Sequence, residues 1–523
     1  MKYIRSLCTL LFGVAVILFF GLAYPHHLHF QEQFQLFLFD SSYVWEIIKL
    51  PGGISDLLGR FCTQFFLYAW VGAVIIGVLL SVVQLLTLRL VGKGWFYGLS
   101  YVPSFLLWLF LLDENALLGG IWAVILTLLA SWAYAQTTKR PNDQTTKRLT
   151  HILLIAAIPL LYWMAGPVCI VFFLLVAAGI NGSYGENRKK KANGTVVWNC
   201  GALVVLAIMI VILSYFLPVP ASKLWYGIHY YRYPTVIPVL LWSATLSILI
   251  IALIVRTLKA RQRNDSSYRP LYYSSTISFV LVAIVMGCLV WKNSNFKAEK
   301  VMQYDFMACH QQWNRILATA NAEKPNNQIG VTVQNLALAM HGMLADHLFE
   351  YNQNGILGLL PDVERDATSP LPTAEAFYQL GMINVAQRTV FEAQEAILDF
   401  QKSGRCYKRL AQTNLINGSY EVARKYLTAL QKTLFYSDWA NETMQLLGDE
   451  KTIAKHPEYG HLRQFAYNED FFFSDHVTPE MLESLYFNNT DNRLAFEYLR
   501  AYYMLTGDRD SYAKLLLHTS TKQ

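Results

Sequence analysis

The chain has 523 residues, 54% of them hydrophobic and only 15% charged, which is too apolar for an ordinary soluble protein. The formal charge of +7 suggests nucleic acid at first. However, the basic residues sit in short loops between apolar runs, where the positive-inside rule accounts for them, and no basic stripe with interleaved aromatics occurs on a soluble element, so no nucleic-acid partner is expected. The charge is also uneven: up to Trp291 there are 21 Lys+Arg against 9 Asp+Glu, and 22 against 27 afterwards.

In chain order, two basic residues in Met1–Arg5 precede an apolar run from Ser6 to Ala23. This is about the length of a bilayer span, and it reads as an uncleaved anchor. A signal peptide ending at Gly21-Leu22-Ala23 is the competing reading.

The stretch Tyr24–Arg60 is the one long polar connection expected on the non-cytoplasmic side. In it Phe30, Phe34, Phe37 and Leu38 form one helical stripe. After the break at Pro51-Gly52-Gly53, the residues Ile54, Leu57, Leu58, Phe61 and Phe65 form a second. Two amphipathic helices lying along the membrane surface are predicted.

Further spans are predicted at about Phe65–Val91, Trp95–Leu112 and Ala116–Ala135. The 32 apolar residues Leu149–Ile180 are long for one span and short for two. A single crossing would place Arg188-Lys189-Lys190-Lys191 outside, so a tight hairpin turning near Gly166-Pro167 is predicted, with arms of about 15 residues. Spans at about Thr195–Leu217, Val236–Leu258 and Leu271–Trp291 bring the total to nine. With the amino terminus inside, the cytoplasmic segments then hold 17 Lys+Arg and the outer ones four: Lys49, Arg60, Lys223 and Arg232. A multi-pass domain over 1–291 is therefore followed by an extracytoplasmic domain over 292–523.

That second domain reads as nearly all helix. Phe377, Leu380 and Gly381 are followed by Ala393, and Leu410 and Ala411 by Gly418, Tyr420 and Ala423, with a twelve-residue step in each case. Small residues so spaced let the two helices of a hairpin approach, as in tetratricopeptide-type repeats. The expected fold class is all-α: a polytopic membrane domain followed by an irregular helical-repeat domain.

The whole chain resembles an uncharacterised family of bacterial multi-pass membrane proteins with a helical periplasmic domain. The matching stretches are Tyr24-Pro25-His26-His27 with Gln31-Glu32-Gln33, Pro51-Gly52-Gly53 with Asp56, Gly59 and Arg60, Asn335-Leu336-Ala337-Leu338-Ala339, and Ser403-Gly404-Arg405-Cys406 through Tyr436. The resemblance implies an inner-membrane location and an architecture, but no activity, cofactor or catalytic residue.

Three constellations bear on chemistry. His26, His27, His29 and Glu32 are metal-ligating types, but their spacing matches no familiar zinc site, and no metal is expected. Cys309 and Cys406 are the two cysteines of the soluble half, free to pair or not in an oxidising compartment. The third is acidic. Glu32, Asp40 and Asp56 in the first loop, with Arg60, His229 and Arg232 as ligand-holding candidates, resemble the layout of membrane glycosyltransferases of the GT-C superfamily. There a carboxylate takes a proton from the acceptor hydroxyl and a cation holds a lipid-linked phosphate.

Such a site requires an acid within about 10 Å of Arg60 or Arg232 in one pocket. A structural loop instead has Asp40 and Asp56 serving the starts of its short helices, and that arrangement is expected. The leading functional reading is a membrane-anchored scaffold of unassigned biochemical activity whose helical-repeat domain binds a protein or peptide, with catalysis the less favoured reading. A transferase using a polyprenyl-phosphate-linked sugar is the alternative and a transporter component the third reading, weakened by the scarcity of ionisable residues within the spans.

Overall fold

The computed structural model describes residues 2–91, 95–137, 144–178, 192–233, 235–262, 274–362, 369–398, 401–465 and 478–520. They are overwhelmingly helical, without a β-strand among them. The chain divides into two compact units, one of Met1–Glu32 with Asp40–Asn295, the other of Gln33–Phe39 with Phe296–Gln523. The loop expected to belong wholly to the membrane half thus gives seven residues to the other unit.

The first unit contains α1 (Lys2–Leu18), α2 (Pro25–Glu32), α3 (Ser41–Ile48), α4 (Gly53–Thr63), α5 (Ala69–Val91), α6 (Val102–Phe110), α7 (Leu118–Thr137), α8 (Gln144–Ala165), α9 (Ile170–Ala177), α10 (Ala192–Phe216), α11 (Ala221–Tyr226), α12 (Val239–Gln262) and α13 (Ser274–Asn293). Among the described residues six helices are long and apolar enough to cross a membrane: Tyr3–Ala23, Ala69–Leu90, Leu118–Gln136, Ala156–Ala177, Val239–Leu258 and Thr276–Asn293. Phe96–Phe110 and Gly201–Phe216 are shorter apolar helices.

The outside of this unit is as apolar as its core, and some polar side chains lie within. Leu10, Val78, Ile208, Leu281 and Ile284 are exposed, whereas Gln84, Thr87, Ser100 and Ser104 are fully buried. The buried polar groups bond between helices: the Thr9 hydroxyl donates to Gln84 Oε1 (3.1 Å), Gln84 Nε2 to Ser100 Oγ (3.0 Å) and Ser104 Oγ to the Leu80 carbonyl (2.9 Å). In an apolar solvent such groups have no other partners.

In place of the tight hairpin expected near Gly166-Pro167, a 3-10 segment, Gly166–Cys169, with Gly166 at φ +62°, interrupts the chain, but Ala156–Ala177 across it forms one bilayer-length helix rather than two arms. The helices on either side of the break are unequal, 22 residues in α8 and 8 in α9. Tyr230 holds the break open, its hydroxyl donating to the Ala165 carbonyl and accepting from Val168 N–H (3.3 Å). The basic residues that set the expected orientation, among them Lys93, Lys139, Arg140, Arg188, Lys189, Lys190, Lys191, Arg263 and Arg269, lie outside the described residues.

The first-loop expectation needs two corrections. The stripe of Phe30, Phe34, Phe37 and Leu38 is not one helix, because α2 ends at Glu32 and residues 35–40 have no regular structure. The second predicted helix exists as α4, with an outward apolar side as a surface helix requires, but its polar stripe is buried in the unit rather than open to water. Ser55, Asp56, Gly59, Arg60 and Thr63 are buried, Leu57 and Leu58 are half-buried and Phe61 is exposed. It does not rest its apolar stripe on the unit; it turns its small and polar stripe inward.

The second unit contains α14 (Phe296–Cys309), α15 (Trp313–Glu323), α16 (Gln328–Met340), α17 (Leu344–His347), α18 (Pro370–Leu380), α19 (Ile383–Glu395), α20 (Gly404–Ile416), α21 (Tyr420–Leu430), α22 (Ser437–Leu446), α23 (Glu450–Lys455), α24 (Tyr459–Phe465), α25 (Thr478–Asn488), α26 (Arg493–Thr506) and α27 (Arg509–Ser520). Side chains cap several starts: Asn327 accepts from Gly330 N–H, Ser403 from Cys406 N–H, Asp449 from Thr452 N–H and Asn492 from Ala495 N–H.

One stop signal recurs. Gly342, Gly381, Gly418 and Gly507 all have φ between +66° and +87°. After α18, Met382 N–H reaches the Phe377 carbonyl (2.9 Å) and Gly381 N–H the Tyr378 carbonyl (3.1 Å). After α20, Ser419 N–H reaches the Asn414 carbonyl (2.8 Å) and Gly418 N–H the Leu415 carbonyl (3.1 Å). This paired bonding ends a helix and lets the next begin within a few residues, so α18–α19 and α20–α21 are helical hairpins.

A side chain at a left-handed position costs roughly 1–2 kcal/mol. Gly418→Ala should cost only that, because an added Cβ meets nothing within 4 Å. Gly381→Ala should cost more, because its Cβ would lie 2.8 Å from Phe465 Cβ. Denaturant unfolding of the two variants of the full chain, followed by a probe in the second unit, checks the order.

Candidate functional site

Within the first unit, glycines bring ionisable side chains together. A Cβ on Gly59 would stand 2.5 Å from Gly119 N, and one on Gly119 would stand 2.6 Å from the His229 carbonyl. Hence α4 seats directly on the start of α7, and the chain at His229 seats on the same point. That chain is held by Leu117 N–H on the Tyr230 carbonyl (3.1 Å) and Arg232 N–H on the Asn115 carbonyl (2.9 Å).

Asp56 lies in the first turn of α4 and is only 1% exposed. Its Oδ2 accepts from Arg60 Nε at 2.8 Å and lies 3.4 Å from His229 Nδ1. No hydrogen bond reaches Oδ1 from the described residues. Burial works against charge on Arg60, but Asp56 and Tyr43 outweigh it and hold the guanidinium charged beyond its ordinary range. Burial also raises the Tyr43 phenol, which Arg60 partly offsets through a hydrogen bond. A buried carboxylate, guanidinium and imidazole thus meet a half-buried phenol in one cluster, which could move a proton or neutralise an anion.

Of the candidates read from the sequence, Asp56, Arg60 and His229 come together. Asp40 stands at the start of α3, where its carbonyl accepts from Val44 N–H (3.0 Å) and its carboxylate takes the Ser42 hydroxyl. Glu32 is buried at the end of α2. Arg232 is buried, with its guanidinium 5.5 Å from the Tyr233 ring centre. Tyr43 was not anticipated, since nothing in its spacing distinguishes it from a packing aromatic.

The histidines of α2 have other duties. His27 Nε2 meets the Leu111 carbonyl at 2.9 Å, and the His26 and His29 ring centres are 5.8 Å apart. Burial pushes His27 down to about 4. Its folded pKa lies below the unfolded value of about 6.5, so the unfolded chain binds the extra proton between these limits and stability falls as pH drops through that window. This group alone should make the unit about 2 kcal/mol less stable at pH 5 than at pH 7.5. His27→Asn should flatten that slope in pH-dependent thermal unfolding of the detergent-solubilised protein.

Within the second unit lies a charged cluster that sequence reasoning missed. Arg405 donates two bonds to Asp305 (2.6 and 2.8 Å) and lies 3.7 Å from Glu375, which accepts from Arg409 at 2.5 Å. The Arg409 guanidinium lies 3.7 Å from the Tyr378 ring centre, and the Tyr378 hydroxyl donates to Glu458 (2.8 Å). The usable signal was Arg405 and Arg409 four apart, on one face of one helix. Cys309 and Cys406 are both free thiols.

Removing one partner of such a pair strands the other charge. Arg405→Ala should cost about 3–5 kcal/mol, whereas the double change Arg405→Met with Asp305→Leu should cost clearly less. Equal losses in denaturant unfolding would contradict this.

Fold and clusters define an all-helical protein that joins a unit with six bilayer-length helices to a unit of helical hairpins. The chain belongs to the family described as "Family of unknown function (DUF6057)", whose model matches residues 1–523. No curated protein and no solved structure matches it.

Proposed function

We propose that this chain is a nine-span bacterial inner-membrane protein with a cytoplasmic amino terminus. Its second unit is an extracytoplasmic, tetratricopeptide-like domain that binds a protein or peptide, and the bilayer half serves as its anchor. The observation that carries this reading is the segregation of the helices: among the described residues, all six bilayer-length helices belong to the first unit and none to the second. The four glycine-stopped helix ends of the second unit support a repeat of hairpins.

The alternative, a GT-C-like transferase, draws support from the meeting of Asp56, Arg60 and His229. In that reading the Asp56 carboxylate takes the acceptor proton, and Arg60, His229 or Arg232 faces a lipid phosphate.

A reporter active only outside the cytoplasm should be active when fused after Lys292 and silent after Lys191; activity after Lys191 would overturn the nine-span topology. In a deletion strain, His229→Asn at unchanged protein level should complement fully, whereas removal of 296–523 should not. Loss of a cell-envelope glycan with His229→Asn would favour the transferase.

A further inference from the structure

The segment Gln33–Phe39 has helical spacing of its apolar residues, yet it is not helical, because its main chain bonds elsewhere. Leu36 N–H donates to the Lys402 carbonyl (2.9 Å) and Phe39 N–H to the Lys432 carbonyl (2.7 Å). Lys402 stands just before α20 and Lys432 just after α21, so the segment crosses the open end of that helical hairpin. Carbonyls at a helix C-terminus lack partners within the helix, which accounts for the acceptor at Lys432 past the end of α21; the acceptor at Lys402 belongs to the chain entering α20.

The side chains of the segment are withdrawn from water as well. Phe34, Gln35, Leu36 and Phe37 are all buried. At the leading end Arg405, already fixed by Asp305, makes a longer contact of 3.5 Å to Gln33 Oε1. Main-chain bonds, buried apolar side chains and one polar contact that sets register are the elements by which a receptor holds an extended peptide.

We propose that the open end of the α20–α21 hairpin is a peptide-binding site and that Gln33–Phe39 is its resident ligand. A partner segment enters only by displacing it. The partner is an extended stretch with aromatic or aliphatic side chains where Phe34, Leu36 and Phe37 stand and an amide side chain at the position of Gln33. This rests on the reading of the second unit as a binding domain and adds to it the partner's chemistry and a closed resting state. A tethered ligand acts at roughly millimolar effective concentration, so if the untethered segment binds the open site at about 1 µM, a partner binds the closed site roughly a thousandfold more weakly than the open one.

The probe is a fluorescein-labelled synthetic peptide of residues 31–40, titrated into the full-length protein in detergent. The wild type should show no saturable binding to about 100 µM, and a variant with residues 33–39 replaced by a Gly-Ser linker of equal length should bind with a micromolar Kd, consistent with the tethering estimate. A probe with Ala for both Phe34 and Phe37 should not bind. If the linker variant does not fold, Phe37→Ala in the full chain serves instead: it keeps the main-chain bonds, weakens the resident segment and should bind the probe more tightly than the wild type does.

A folded variant that fails to bind, or a wild type that binds as well as the variant, would overturn the resident-ligand proposal. Either result leaves the scaffold reading standing, because that reading is decided by the reporter fusions and complementation.

Discussion

Asp56 and Arg60 lie one helical turn apart with both side chains withdrawn from water. Withdrawal costs several kcal/mol per ion and is tolerated only when the opposite charge and further hydrogen bonds are already in place. Everything around α4 follows from meeting that condition. Gly59 and Gly119 let the backbones close over the pair, Tyr43 supplies Arg60 with another partner, and the chain at His229 is pinned to α7 by main-chain bonds. The second unit solves the same problem around Asp305 and Arg405, with Glu375 and Arg409 completing the neutralisation. In both cases the buried cation is an arginine, whose fork of donors can serve two acceptors at once.

The inward polar stripe of α4 has the same origin. A helix with a small, polar stripe and an apolar stripe buries whichever stripe its solvent rejects. Phe61 outside and Asp56 inside is the choice expected where the surroundings are apolar, and it matches the exposed Leu and Ile of the long helices. Period alone locates the two stripes but not the direction each faces.

This separates what was legible in the sequence from what was not. Six long apolar helices (against nine expected spans), the start of α4 after Pro51-Gly52-Gly53 and the hairpin turns at Gly381 and Gly418 each depend on residues within a few positions of one another, and each was readable. Asp56 and Arg60, four apart, were both singled out. His229 joins them across 173 positions, a proximity no local pattern carries. The stripe of Phe30, Phe34, Phe37 and Leu38 misled for the same reason: its i+4 spacing suits a helix, but the carbonyls of Lys402 and Lys432 compete for its amides from the far end of the chain. The Arg405 cluster draws on α14, α18 and α20, and only the Arg405–Arg409 spacing was visible beforehand.

The seat of Gln33–Phe39 also sets an order of events during synthesis. The ribosome delivers this segment early, between two stretches of the first unit, while its acceptors at Lys402 and Lys432 emerge about 400 residues later, roughly 20–80 s at bacterial elongation rates of 5–20 residues per second. For that interval the Leu36 and Phe39 amides lack the carbonyls they bond in the folded chain, and the segment is open to chaperones, to aggregation and to the nascent chain of a neighbouring ribosome. A chain that stops short of Lys432 never completes this pair of bonds.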